Sequence, residues 1–167
     1  MIWNKKFIYP TSTRALIDGK RHYDISNEKL PSVTTILQAT QSEEKKRKLE
    51  EWRKRMGAQY ADRVKDIAAL RGTSMHTYLE GYIKNERHLD LTALGQEAGR
   101  MADVVIRSGL GDLGEVWGTE VTLHYPGLYA GQTDVVGIYG GREAIIDFKQ
   151  TNKPKQREWI DDYFTQL

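Results

Sequence analysis

Between Glu115 and Lys149 the chain changes texture, and that change limits the fold more than any other feature. Three stretches rich in Val, Ile, Thr and Tyr, at 116–125, 128–139 and 143–149, read as strands. Pro126-Gly127 and Gly140-Gly141 separate them as turns, so they form a meander. The region before them reads as helix. The expected segments are 32–39, opened by Pro31, and a charged helix after Thr40-Gln41-Ser42-Glu43, which has the form of a capping box. Then come 58–70, 73–85 with Thr73 as its cap after the break at Arg71-Gly72, and 92–108. At the start, Phe7-Ile8-Tyr9, Ala15-Leu16-Ile17 and His22-Tyr23-Asp24-Ile25 read as paired strands around an Asp18-Gly19 turn. Lys153-Pro154-Lys155 leads into a last helix carrying Trp159, Tyr163 and Phe164. A helical half followed by a strand meander and a helix is an α+β pattern.

The 167 residues suit a single domain over 1–167, read as a hairpin region at 1–29, a helical region at 30–112 and strands with a final helix at 113–167. No cysteine is present, which excludes disulfides, thiolate zinc sites, iron–sulfur clusters and a cysteine nucleophile. No apolar run approaches the roughly 18 residues of a membrane span, and the N-terminus lacks the apolar core of a secretory signal. The expectation is a soluble, cytoplasmic protein without a membrane partner. The net charge of +2 hides a split. Residues 1–70 carry 15 Lys and Arg against 9 Asp and Glu, whereas residues 71–167 carry 10 against 14. Such a split suits a chain that attracts a polyanion with one part and holds a cation with the other, and it also fits ordinary surface charge.

The basic part concentrates between Glu43 and Arg55, with seven basic and four acidic residues interrupted by Leu49 and Trp52. With Met56 these make one apolar stripe at helical spacing. The opposite face either is simply solvated, with Trp52 anchored in a core, or contacts phosphates. In the strand region, Ile145-Ile146-Asp147-Phe148-Lys149 sets a carboxylate and an ammonium on one face of the expected strand. Thirteen residues earlier Asp134 stands among Val, Ile and Tyr, and a hairpin through Gly140-Gly141 would bring Asp134 and Asp147 together. Two adjacent carboxylates repel unless a cation or proton intervenes, and hard oxygen donors suit Mg²⁺ or Mn²⁺. A surface Asp–Lys ion pair is the alternative. On the helix after Gly72, His76 and Glu80 share one face at i, i+4, a pairing also common by chance.

In order and spacing these elements resemble the PD-(D/E)XK nuclease superfamily in its RecB-like exonuclease branch. The resemblance is nearest to the group of mitochondrial genome maintenance exonucleases and their phage and bacterial relatives. It rests on Leu30-Pro31-Ser32-Val33-Thr34-Thr35-Ile36-Leu37-Gln38, on Leu49-Glu50-Glu51-Trp52-Arg53-Lys54-Arg55-Met56-Gly57 and on Arg71-Gly72-Thr73-Ser74-Met75-His76 with Glu80. It continues through Gly131-Gln132-Thr133-Asp134 and the run from Ile145 to Lys155. The resemblance implies a restriction-endonuclease-like core with a mixed sheet and flanking helices. It makes Asp134 and Asp147 metal-binding acids, with the Phe148 backbone carbonyl as a further ligand. Lys149 becomes the lysine that orients or activates water, and His76 the helical histidine that approaches the metal. Glu80 assists through a water, and Gln166 opens the Gln-x-x-x-Tyr motif. Glu120 falls on the preceding strand, where relatives often carry an acid.

The motif's tyrosine would fall at position 170, so on the family pattern the chain reads as a member cut short in its last core helix. Gln150 stands where Thr or Ser usually follows the lysine, and the cysteines of the iron–sulfur subgroup are absent. The implied activity is Mg²⁺- or Mn²⁺-dependent hydrolysis of DNA, progressive from single-stranded ends, in DNA processing, repair, recombination or replication. Arg53, Lys54, Arg55, Arg71, Thr73 and Lys153 would hold the strand, with Trp52 or Tyr60 available to stack on a base. Two other readings compete. One is a non-catalytic nucleic-acid-binding or assembly module on the same fold. The other is a small-molecule phosphohydrolase, disfavoured because no phosphate-cradling loop is present.

Overall fold

Paired left-handed residues set the hairpins of this chain. In the computed structural model, which describes residues 1–151, 155–157 and 160–167, φ is +51° at Asp18 and +72° at Gly19. Ser26-Asn27 and Gly140-Gly141 repeat this pattern, giving tight two-residue turns that match the twist of the strands they join. The first two turns link β2 (Ser12–Ile17), β3 (Lys20–Ile25) and β4 (Glu28–Pro31) into an antiparallel three-stranded sheet. A second sheet has the order β1-β5-β6-β7, from β1 (Ile2–Trp3), β5 (Leu113–Tyr125), β6 (Tyr129–Tyr139) and β7 (Arg142–Ile146). It is mixed, since β1 runs parallel to β5 and the other neighbours are antiparallel. The expected three-strand meander is therefore present, and the architecture is α+β.

Met1–Thr40 and Gly111–Leu167 form one compact unit, and Gln41–Leu110 forms another. In the strand unit, the small sheet packs on β6 through Tyr23, Ile25, Leu30 and Ala130, all buried. α1 (Val33–Ala39) also lies against β6. Its cap is Ser32, whose Oγ accepts from the Thr35 amide, and Ser32 forms a parallel bridge to Ala130. α5 (Asp161–Gln166) closes the described chain and packs on α1.

The helical unit contains α2 (Glu43–Met56), α3 (Ala58–Lys84) and α4 (Ala93–Gly109). α3 is about 40 Å long at roughly 1.5 Å per residue. It buries Arg71, Met75, Leu79 and Ile83, one i, i+4 line. α4 packs on it with a face of small residues, Gly95, Ala98 and Ala102, and the Tyr78 ring lies 3.3 Å from where a Cβ on Gly99 would sit. The Tyr78 hydroxyl accepts from the Asp90 amide and donates to its carbonyl, fixing the loop that leads into α4. Among the described residues, no helix is long and apolar enough to cross a membrane.

Several local expectations are corrected. Arg71-Gly72-Thr73 does not break the helix: the buried line that starts at Arg71 and runs on to Ile83 outweighs the cost of about 1 kcal/mol for a helical glycine. Thr73 lies inside α3, its hydroxyl donating to the Ala69 carbonyl. Ser42, not Thr40, caps α2, and Thr40 ends α1. The Leu49–Trp52–Met56 stripe anchors no core, since α2 has no buried residue. Phe7-Ile8-Tyr9 is not a strand, and Pro31 ends β4 rather than opening a helix. Strand β7 stops at Ile146, three residues before the expected end. Trp159, expected in the last helix, lies outside the described residues.

The β5–β6 pairing sets a sharp test of this packing. β5 carries register shifts between Leu113 and Glu115 and between Val116 and Gly118, bringing its backbone against Gly137. A Cβ on Gly137 would lie 2.0 Å from the Glu115 carbonyl oxygen. Gly137→Ala is expected to destabilise the chain by about 2 kcal/mol or more, measured as a lowered urea midpoint.

Candidate active site on the central strands

The antiparallel register determines which acids meet. β6 and β7 pair Val135 with Ile146 as their last pair, and Asp134 and Asp147 are the next residue on each chain. On its other side, Asp134 lies between the pairs Thr119–Val135 and Val121–Thr133, which puts it across from Glu120. Directly opposed residues in an antiparallel sheet have Cβ atoms about 4.5–5.5 Å apart. Glu120 on β5 thus faces Asp134 on β6, and Asp147 follows directly after β7 ends. A carboxylate oxygen of Glu120 and one of Asp134 lie within 4.8 Å of each other.

β7 stops at Ile146 because side chains of β6 replace the ladder there. The Thr133 hydroxyl donates to the Ile146 carbonyl at 2.9 Å. Buried Asp134 then accepts the backbone amide of Phe148 on Oδ2. The chain leaves the sheet while its next acid stays beside the first. Phe148 is itself buried. Asp147 forms an ion pair with Lys149, whose ammonium also lies 5.9 Å from the centroid of the Tyr163 ring on α5.

Glu120 is held in a conformation its residue type rarely adopts. Its φ is +52°, in the left-handed region, at a cost of about 1–3 kcal/mol. Gln132 clamps it: the side-chain amide donates to the Glu120 carboxylate at 2.6 Å and to the Glu120 carbonyl at 3.1 Å. The Gln132 carbonyl oxygen in turn accepts from the Arg14 guanidinium on β2. Sequence reasoning missed these positioning residues. Gln132 lies within the quoted Gly-Gln-Thr-Asp run, but its role depends on a backbone angle at Glu120 that no local pattern encodes. Alongside, Tyr9, Arg14, Glu120 and Gln132 line a cavity of about 280 Å³, where burial pushes the Tyr9 phenol pKa up. A second cavity of about 270 Å³ is lined by Asp147 and Gln166, so α5 brings that glutamine to the same region as the acid.

The remaining candidates belong to the helical unit. His76 and Glu80 are half-buried on α3, one position along from the buried line, and Glu80 pairs with Lys84 at 2.5 Å. Arg53 pairs with Asp62 at 2.8 Å, and Lys54 and Arg55 are exposed in the last turn of α2. Arg71 is placed differently from a surface phosphate contact. Its side chain is 11% exposed and its guanidinium bonds the Glu97 carboxylate at 2.6 Å, tying α3 to α4. Lys153 lies outside the described residues.

Because Glu97 is 44% exposed and solvent-screened, Arg71→Ala is expected to cost only about 1–2 kcal/mol of stability. Affinity for a labelled oligonucleotide should then stay within about twofold of the parent. An unchanged urea midpoint with a large loss of affinity would instead make Arg71 a phosphate contact.

No family model matches the chain. Mitochondrial genome maintenance exonuclease 1 of Mus musculus is 30% identical over 152 residues, covering 82% of this chain and 44% of the relative. The protein of the same name from Xenopus tropicalis is 31% identical over 145 residues, covering 84% of this chain and 41% of the relative. These matches support a relationship to an exonuclease family, and the chain spans less than half the length of the curated relatives it matches.

Proposed function

We propose that this chain carries the catalytic strands of a metal-dependent DNA nuclease with a PD-(D/E)XK core of the RecB-like type. The reaction is phosphodiester hydrolysis, by an exonuclease working from single-stranded ends. The observation that carries the reading is the pairing of the Glu120 and Asp134 carboxylates, with Asp134 also accepting the Phe148 amide between Asp147 and Lys149 in the chain. Both named relatives are exonucleases of genome maintenance, which supports DNA as the partner. The setting we propose is cytoplasmic, as the sequence reads, in contrast to the mitochondrial one in the relatives' names.

The donor set fits a hard divalent cation. Carboxylate oxygens of Glu120 and Asp134 within 4.8 Å of each other repel unless positive charge or a proton comes between them. In the proposal Asp134 and Asp147 hold Mg²⁺ or Mn²⁺, joined by the Phe148 carbonyl and Glu120. The bound ion would polarise a phosphoryl oxygen and acidify a water molecule. Lys149 orients the attacking water and neutralises charge that develops on the phosphate oxygens. Gln132 and Arg14 keep Glu120 turned toward Asp134. His76, as a metal ligand, and Glu80, acting through a water, enter from the sequence pattern, as do Gln166 beside Asp147 and Arg53, Lys54, Arg55, Thr73 and Lys153 as strand contacts.

The test uses end-labelled single- and double-stranded DNA with Mg²⁺, Mn²⁺ or EDTA. The parent should degrade the single strand with either metal and not with EDTA. Asp147→Ala and Lys149→Ala should each slow cleavage by about 10²-fold or more. A folded parent that cuts nothing with any metal sinks the proposal, as do variants that cut like the parent. DNA bound but never cut would favour a binding module. Calorimetric titration with Mn²⁺ reads the metal site without activity. There Asp134→Asn should abolish the binding, and Gln132→Leu should weaken it by about tenfold.

A further inference from the structure

We infer that the cavity between Asp147 and the tip of the β5–β6 hairpin receives unpaired nucleobases of the strand being cut, stacked on Tyr125 and Tyr129. The inference rests on the nuclease reading and extends it to the substrate class. The cavity, about 270 Å³, has Asp147 and Gln166 on its wall together with Tyr125 and Tyr129. The two tyrosines close the hairpin, paired across it, with ring centroids 6.0 Å apart and planes tilted by 33°. They are 57% and 41% exposed, so their rings form no part of the core.

The cavity wall is mostly uncharged. Among the described residues that line the cavity, Asp147 is the only Asp or Glu and is paired with Lys149, His124 is the one basic side chain, and the rest are uncharged. An uncharged aromatic base meets tyrosine faces and the hydroxyl and amide groups of Thr34 and Gln166. Size points the same way. The volume lies near the lower end of the roughly 300–1,000 Å³ of ligand pockets, which admits single bases and not a stacked pair of strands. Along β6, Tyr129 and Asp134 are five positions apart, about 17 Å of strand. What joins the stacked bases to the proposed phosphate site is Asp147, which lies on the cavity wall. This supplies a physical basis for a preference for single-stranded ends.

Fluorescence anisotropy in EDTA, with labelled oligothymidylate and the same strand made abasic, separates base contacts from backbone contacts and from catalysis. The parent should bind oligothymidylate more tightly than the abasic strand. Tyr125→Ala and Tyr129→Ala should each weaken oligothymidylate binding by about tenfold, leave the abasic strand unaffected and keep the parent's melting temperature. Tyr129→Phe should retain the parent's affinity. A parent that does not favour the base-bearing strand overturns the inference. So do alanine variants that bind oligothymidylate like the parent, or that weaken both strands equally. Hydrolysis of bis(p-nitrophenyl) phosphate by the parent with Mn²⁺, a diester without bases, tests the nuclease reading separately.

Discussion

One hydrogen bond organises the strand unit around its acids: the Phe148 amide donating to the buried Asp134 carboxylate. In a regular sheet that amide would seek a carbonyl on β6. Giving it to a side chain instead ends β7 and releases the backbone from the sheet one residue past its last paired position. A buried carboxylate without donors would be costly, and a buried amide without an acceptor would be too. Each meets the other's need. The turn at Gly140-Gly141 fixes the register, the register ends at Val135–Ile146, and the amide holds the segment that follows against Asp134.

The support behind this arrangement comes from elements distant in sequence. Arg14 on the small N-terminal sheet reaches Gln132 on β6, and Gln132 reaches Glu120 on β5. The small sheet thus packs the core and also steadies an acid. Its link to β6 runs through Tyr23, Ile25, Leu30 and Ala130, which bury the contact. Without that apolar contact the Arg14 guanidinium would be one more exposed charge. With it, a polar relay about three strands wide rests on a rigid base.

Much of this was legible in the sequence, for reasons that differ from residue to residue. The Asp18-Gly19 and Gly140-Gly141 turns could be read because few residue pairs accept two left-handed angles. The approach of the segment after β7 to Asp134 followed from that turn by counting. Ser26-Asn27 makes the same turn without a glycine, and β4 was missed with it. A sequence does not display Glu97, 26 residues away, as the ion-pair partner of Arg71. Gly72 looked like a break because propensity is local, whereas the line Arg71–Met75–Leu79–Ile83 is a tertiary fact. The early end of β7 had no local signal, since it arises from side chains of the neighbouring strand.

The left-handed backbone of Glu120 has a consequence for how this site can vary. Most residues resist φ near +52°, and glycine accepts it freely. A glycine at 120 would relieve the backbone and also delete the carboxylate beside Asp134. Selection for thermal stability alone would therefore erode the site from this position first. The chain keeps glutamate at a conformational disadvantage, so part of its folding free energy is committed to holding one oxygen in place.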